Sequence, residues 1–233
     1  MRFSATAHFT TTVVRYYKPS TTYSIKVAIT ENQLPILKKA KYNLCLARKV
    51  NKDYSVVWSA SLDYLENTSF TWTNNKFHLF ARTESGGTTE PQVVSFGEQC
   101  LFDASGVMHP ATGTCDPTRN LSVETKYGAA YFGVSAPINI NGEDKDLEAY
   151  ISPLLVTGTV YIQPSNTVKI WFSTFAKMGT EVGLVRKGKG DSGGADEDGI
   201  EVELGSQKGD AEERTNATIT YKGERGKGSW FRC

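Results

Sequence analysis

The stretch TSFTWTNNKFHLFAR, residues 68–82, decides the fold class. Phe70 and Trp72 alternate with threonines, and Phe77 and Leu79 resume the alternation after Asn74-Asn75. Successive side chains of an extended strand point to opposite faces, so a period of two marks a half-buried strand. Asparagine tolerates the left-handed backbone of a tight turn, and the stretch reads as a β-hairpin.

The same pattern recurs in YNLCLARKVNKDYSVVWSA (42–60), with Asn51-Lys52-Asp53 near its turn. It recurs in LLVTGTVYIQPSNTVKIWFSTF (154–175), with Pro164-Ser165-Asn166 at its turn, and in ATITYKGERGKGSWFR (217–232), where glycines punctuate two strands. Further strands are expected at 23–30, 92–96, 121–127, 181–186 and 200–204, and 34–40, beginning beside Pro35, reads equally as one short helix or as a loop carrying Lys38, Lys39 and Lys41. Short strands separated by turn residues point to an all-β protein: an antiparallel β-sandwich built from successive hairpins, with a β-barrel as the alternative. A chain of 233 residues can bury one sizeable core, so residues 1–233 are read as a single β-rich domain.

Composition narrows the function by exclusion. The 26 basic side chains nearly balance 25 acidic ones, so no global field draws nucleic acid. No run reaches the ~18 apolar residues of a membrane-spanning helix. The opening MRFSATAHFTTTVVRYYKPS interrupts any apolar stretch with Thr10, Thr11 and Thr12. It carries no export signal as written, which points to the cytoplasm, or to secretion if the N-terminus is a processed form. On the secreted reading, the sequons at Asn67, Asn120 and Asn216 are glycan acceptors.

Gly190-Asp191-Ser192-Gly193-Gly194 resembles the nucleophile motif of chymotrypsin-like serine proteases. In that family the motif runs into a proline and an apolar strand, which fixes the serine and the oxyanion hole. Here Ala195-Asp196-Glu197-Asp198-Gly199 follows, and none of His8, His78 and His109 has the family's flanking residues. The motif is read as a decoy in an exposed loop over 187–199, and the protein as leaning away from enzyme function. Asp191, Asp196, Glu197 and Asp198 offer oxygen ligands that make calcium the alternative use of this loop, although their spacing does not match an EF-hand. No cofactor is otherwise expected.

Cys100 and Cys115 bracket a turn-rich segment whose closure by a disulfide would contribute roughly 3 kcal/mol. Reduced thiols in a cytosol are the competing case; zinc held by Cys100, His109 and Cys115 is a minor further option, without the paired spacing that zinc sites show. Cys45 reads as a small interior residue.

The tryptophans supply the expected binding site. In Val168-Lys169-Ile170-Trp171-Phe172-Ser173, the aliphatic residues and Phe172 share one face, and Trp171 shares the other with Lys169 and Ser173. An aromatic ring among polar groups suits the apolar side and hydroxyls of a sugar. Trp171, Lys169, Trp72, Trp58 and Trp230 are therefore the candidate ligand-binding residues; the competing and favoured reading on burial grounds is that Trp171 covers a second sheet of a sandwich, and Trp58, Trp72 and Trp230 are open to either use. The function expected is non-enzymatic, lectin-like carbohydrate binding or defence-related recognition, with a glycan or other external ligand as partner and a homo-oligomer as an option. A pore-forming β protein and an enzyme with a dispersed site are the alternatives.

Overall fold

The computed structural model describes residues 21–116, 118–183, 199–205, 214–224 and 227–233. In chain order these form β1 (Thr22–Ile29), α1 (Leu34–Lys39), β2 (Asn43–Val50), β3 (Ser59–Ser61), β4 (Asn67–Thr73) and β5 (Phe77–Thr83). Next come β6 (Gln92–Val94), β7 (Glu98–Phe102), β8 (Thr112–Gly113), β9 (Leu121–Thr125), β10 (Ala130–Ile140) and β11 (Glu143–Ile151). The last are β12 (Gly158–Ile162), β13 (Pro164–Ser173), β14 (Ile200–Glu203), β15 (Asn216–Glu224) and β16 (Lys227–Arg232). The expected serine motif, the acidic calcium alternative and most of the 187–199 loop lie outside the described residues. Of the strand expected at 181–186, Glu181 makes an isolated bridge to Val56, and residues from 184 onward are likewise outside.

The fold is all-β, and its strands fall into three sheets, none closed into a barrel. The eight-stranded sheet contains β16, β15, β1, β4, β10, β5, β6 and β11; the four-stranded sheets run β12-β9-β7-β8 and β14-β13-β2-β3. Pairing is not wholly antiparallel, because β1 runs parallel to β15 and β7 parallel to β9. One buried cluster draws Ile25, Phe70, Leu79 and Phe132 from the large sheet, Cys100, Phe102 and Val123 from the second, and Leu46, Ile170 and Phe172 from the third. Among the described residues no helix is long and apolar enough to cross a membrane.

The 68–82 stretch forms strands where its alternation puts them, but it is not a hairpin. Gly133 of β10 pairs with both Phe80 and Ile151, and Ile138 with both Trp72 and Lys145. A strand has only two edges, and β11 occupies one of them throughout, so β4 and β5 lie end to end along the other. Between the pairs Ile138–Trp72 and Ser135–His78, β10 advances three positions while the facing chain advances six. Asn74, Asn75 and Lys76 are thus an interruption in one long path rather than a reversal.

The other expected hairpins divide. β15–β16 is a hairpin as expected, and β2 and β3 are antiparallel neighbours. The 154–175 stretch is not a hairpin: β12 pairs with β9, whereas β13 pairs with β2 and β14. Pro164-Ser165-Asn166 sits inside β13, at a register shift between the pairs Pro164–Val50 and Val168–Arg48. A two-residue turn also joins β10 to β11, through Asn141-Gly142, with φ of 52° and 94°. Two successive positive φ values are what a primed two-residue turn demands, and Asn-Gly meets them at least steric cost. α1 takes the helical of its two readings: Pro35 occupies its first turn, where a missing N–H costs nothing, and Leu37 anchors it in the core.

Arg48 joins the two interruptions. Its side chain is fully buried, with the guanidinium 5.4 Å from the rings of both Trp58 and Phe77. Nε donates to the Ser165 carbonyl at 2.9 Å, within the β13 irregularity, and Nη2 donates to Asn74 Oδ1, within the β4–β5 break. Asn74 Nδ2 then donates to Asn166 Oδ1 at 2.5 Å. Irregular backbone leaves polar groups that a ladder cannot satisfy; Arg48 satisfies one of them, the Ser165 carbonyl, and also bonds the Asn74 side-chain oxygen. Burial pulls its pKa down to about 9, so it remains charged at neutral pH.

Candidate functional site

The β12-β9-β7-β8 sheet has two unlike faces. Cys100, Phe102, Leu121, Val123 and Ile162 project from one face into the core, each fully buried. Residues of opposite parity project from the other face. Along it, Tyr161 lies opposite Ser122, Ser122 opposite Gln99, and Gln99 opposite Thr112. Directly opposed residues in a sheet share a face, so these four side chains form a single row crossing all four strands.

An open groove of about 620 Å³ follows the row, lined also by Gly97, Gly113, Thr118, Arg119 and Asn120. Tyr161 at one end is 63% exposed. In the middle, Gln99 Nε2 donates to Glu124 Oε2 at 3.2 Å, and Ser122 Oγ donates weakly to Gln99 Oε1 at 3.5 Å. A carboxylate can only accept, so Glu124 fixes the amide with its carbonyl oxygen toward Ser122. At the far wall a Cβ on Gly97 would sit 2.6 Å from the Thr114 carbonyl and 2.8 Å from the Asp116 amide. Only glycine lets the 114–116 backbone lie flush there, and φ of 85° at Gly97 adds the same requirement. Asp116 braces this wall: its Oδ1 accepts from the amide and hydroxyl of Thr118, and Arg119 Nε lies 3.2 Å from its Oδ2. The groove therefore presents the Tyr161 ring, the half-buried Gln99 amide and the exposed Thr112, with Ser122 buried between them, on a sheet whose other face is packed in the core.

The tryptophans expected to form the site are elsewhere and largely inside. Trp58, Trp72 and Trp171 are 0%, 2% and 3% exposed, and a ring so enclosed offers no face to a sugar. Trp58 and Trp72 pack edge to face in the main core. Trp230 is partly buried and stacks on Phe172 at 5.2 Å. Trp171 does lie opposite Ile170 and Phe172, as its parity requires, but that second face is also covered. Cys45, Ala47, Val57, Ala176 and Val182 close over the indole as a small second core. Backbone bonds between residues 55–57 and 179–182 hold this cover in place. Lys169 is half-buried beside it.

The cysteine and histidine expectations resolve differently. All four cysteines are free: Cys45 and Cys100 are buried, whereas Cys115 and Cys233 are exposed. Cys100 faces the core, so it neither meets Cys115 in a disulfide nor joins it around a metal. His109 Nε2 turns instead to Asp103 Oδ2 at 2.7 Å. Asp103 Oδ1 accepts from the Ser105 hydroxyl at 2.6 Å and from the amides of Ser105 and Val107. Hydrogen bonds from Ser105, His109 and Val107 hold that carboxyl far below the ordinary carboxylate range, and the group organises the 103–109 turn. Among the described residues no set of three His, Cys, Asp or Glu side chains is gathered as metal ligands.

None of the four row residues, Tyr161, Ser122, Gln99 and Thr112, was among the candidates read from the sequence, and Tyr161 is the one that carried a signal. Its signal is the one used for Trp171: in Gly158-Thr159-Val160-Tyr161-Ile162 an aromatic alternates with aliphatics. Comparison with protein-family models, with curated proteins and with solved structures returned no match.

Proposed function

We propose that this chain is a non-enzymatic, lectin-like recognition protein that binds carbohydrate in the groove of the β12-β9-β7-β8 sheet, within a sandwich-like stack of its three sheets. The observation that carries the reading is the row Tyr161, Ser122, Gln99, Thr112 on the open face of a sheet anchored by its other face. A phenol ring packs on the apolar C–H face of a pyranose while amide and hydroxyl groups replace the water bonded to its hydroxyls. Both halves are needed, because burying an unpaired hydroxyl costs about 1–3 kcal/mol.

The test is a glycan array probed with the wild type and with Tyr161→Ala and Gln99→Ala. Binding by the wild type that both variants lose, with thermal unfolding unchanged, supports the reading. An array blank for the wild type, together with dye release from phosphatidylcholine vesicles, would replace it with the pore-forming alternative.

A further inference from the structure

A second surface lies where three strands of the β14-β13-β2-β3 sheet run out together. β2 is antiparallel to both β13 and β3, with Asn43 opposite Ser173 and Leu44 opposite Ser61. The start of β2 and the ends of β13 and β3 therefore share one end of the sheet, and the connections leaving it are residues 34–42, 62–66 and 174–179. Among the described residues eleven large apolar side chains are exposed, and five of them are on these three connections: Ile36, Leu62, Leu65, Phe175 and Met178. Single apolar residues scattered over a surface need no explanation, whereas a group gathered at one end marks an interaction site.

The fold holds these side chains outward. Tyr64 is buried between Leu62 and Leu65, its ring 5.7 Å from that of Phe172, and Lys38 Nζ sits 3.9 Å over the same ring while donating to the Leu62 carbonyl. Ala176 is buried between Phe175 and Met178, and its carbonyl accepts from Asn43 Nδ2 at 2.9 Å. Each loop is thus pinned by a buried residue whose apolar neighbours stay in water: Leu65 is 58% exposed, Phe175 64% and Met178 54%.

Charge identifies the partner. The three connections carry Lys38, Lys39, Lys41 and Lys177 against Asp63 and Glu66, four positive groups to two negative. Among the described residues none of these lysines forms an ion pair with a carboxylate. A second copy of the patch, docked about a two-fold axis, would set like charges against each other. An anionic lipid surface takes both parts: its interface buries the apolar tips, and its headgroups meet ammonium groups whose stems lie along the apolar boundary. We infer that this end of the sheet docks on the surface of anionic phospholipid membranes without spanning them. The inference is independent of the carbohydrate reading, whose groove belongs to another sheet.

The experiment sediments the full chain with dye-loaded vesicles of phosphatidylcholine alone and of phosphatidylcholine mixed with phosphatidylserine, at low and high salt. The wild type is expected to bind the mixed vesicles at least roughly tenfold more tightly than the neutral ones, less so at high salt, and to release no dye. Phe175→Ser with Met178→Ser is expected to weaken binding by roughly tenfold at either salt with the unfolding temperature unchanged; Leu65→Ser gives the same test from the other loop should the double variant not fold. Lys39→Glu with Lys41→Glu and Lys177→Glu is expected to abolish the preference for phosphatidylserine. Val156→Ser, at an exposed apolar position outside the three connections, is expected to change nothing. No binding of the mixed vesicles, binding that the loop and lysine variants leave intact, or a dimer that Phe175→Ser with Met178→Ser disperses in place of vesicle binding would overturn the inference. Dye release on binding would overturn it in favour of the pore-forming alternative, and a blank glycan array would sink the carbohydrate reading while leaving this one standing.

Discussion

The sheets β14-β13-β2-β3 and β12-β9-β7-β8 begin from the same sequence rule and end differently. In the first, Ile170 and Phe172 face the core and Trp171 points away; in the second, Ile162 faces the core and Tyr161 points away. Trp171 is nevertheless 3% exposed and Tyr161 63%. The cause lies in the neighbours. β2 presents the small Cys45 and Ala47 beside Trp171, which leaves room for residues 54–57 and 176–182 to close over the indole. Around Tyr161 the adjacent strand offers Ser122, and Thr118, Arg119 and Asn120 line the groove while the ring stays 63% exposed. Parity separates the two faces of a strand, while the presence of an apolar segment packed over the second face decides whether it is covered.

The largest expected effect tests that contrast directly. Trp171→Ala should lower stability by about 3–5 kcal/mol, as for a large aromatic removed from a core. Tyr161→Ala should stay within roughly 0.5 kcal/mol, as at an exposed surface position. Equal denaturant midpoints for the two variants would erase the distinction. Arg48→Ala should come next, at about 3 kcal/mol, because it strands the Ser165 carbonyl and the Asn74 amide oxygen in the interior. Arg48→Met restores volume without those bonds; wild-type stability in that variant would show that Arg48 fills space rather than tying the two interruptions together.

Thiol chemistry sharpens the comparison in time rather than energy. Burial pushes the Cys45 thiol up to about 12 and, with the Glu98 charge adding, the Cys100 thiol to about 11. The thiolate is the reactive form, so at mildly alkaline pH a thiol reagent should modify exposed Cys115 and Cys233 quickly and the buried pair only after unfolding. Rapid labelling of Cys45 in the native protein, read by mass spectrometry, would mean that the cover over Trp171 opens readily. Acid gives the smallest effect. Hydrogen bonds hold Asp103 and Asp116 below the ordinary carboxylate pKa of about 3.9. A depressed folded pKa gives stability that is present above the unfolded value and lost as pH falls through the folded one. Hydrogen exchange should therefore show the 103–109 and 116–119 turns loosening below about pH 3.9 before the β13–β2 strands do; simultaneous loss would assign these carboxylates no local role.

Much of the strand content was legible, because β1, β14 and β15 alternate between more and less buried positions. The partnership of β4 and β5 was not. Asn74-Asn75 serves a tight reversal and a mid-path interruption equally well, and the deciding contact comes from β10, distant in sequence. β11 was missed despite the Asn-Gly turn before it, since Glu143, Asp144, Lys145 and Asp146 are all exposed and show no alternation. The candidate groove was not legible: Tyr161, Ser122, Gln99 and Thr112 come from four separate strands, and no local pattern links them. Reading 154–175 as one hairpin hid that β12 belongs with β9 and that Tyr161 stands beside Ser122.

The parallel pairing of β1 with β15 sets the order in which the molecule can be assembled. Ser24 and Asn216 are bonded across 192 positions of chain, so β1 leaves the ribosome long before its neighbour exists. At about 5–20 residues per second, that interval is roughly 10–40 seconds. During it β1 presents an unpaired edge, and such edges recruit other chains. The Asn141-Gly142 hairpin is the opposite case, a local pair whose members emerge almost together. β10 and β11 are thus the natural early scaffold of the large sheet, and the β1–β15 seam is where newly made chains are most exposed to joining one another instead of themselves.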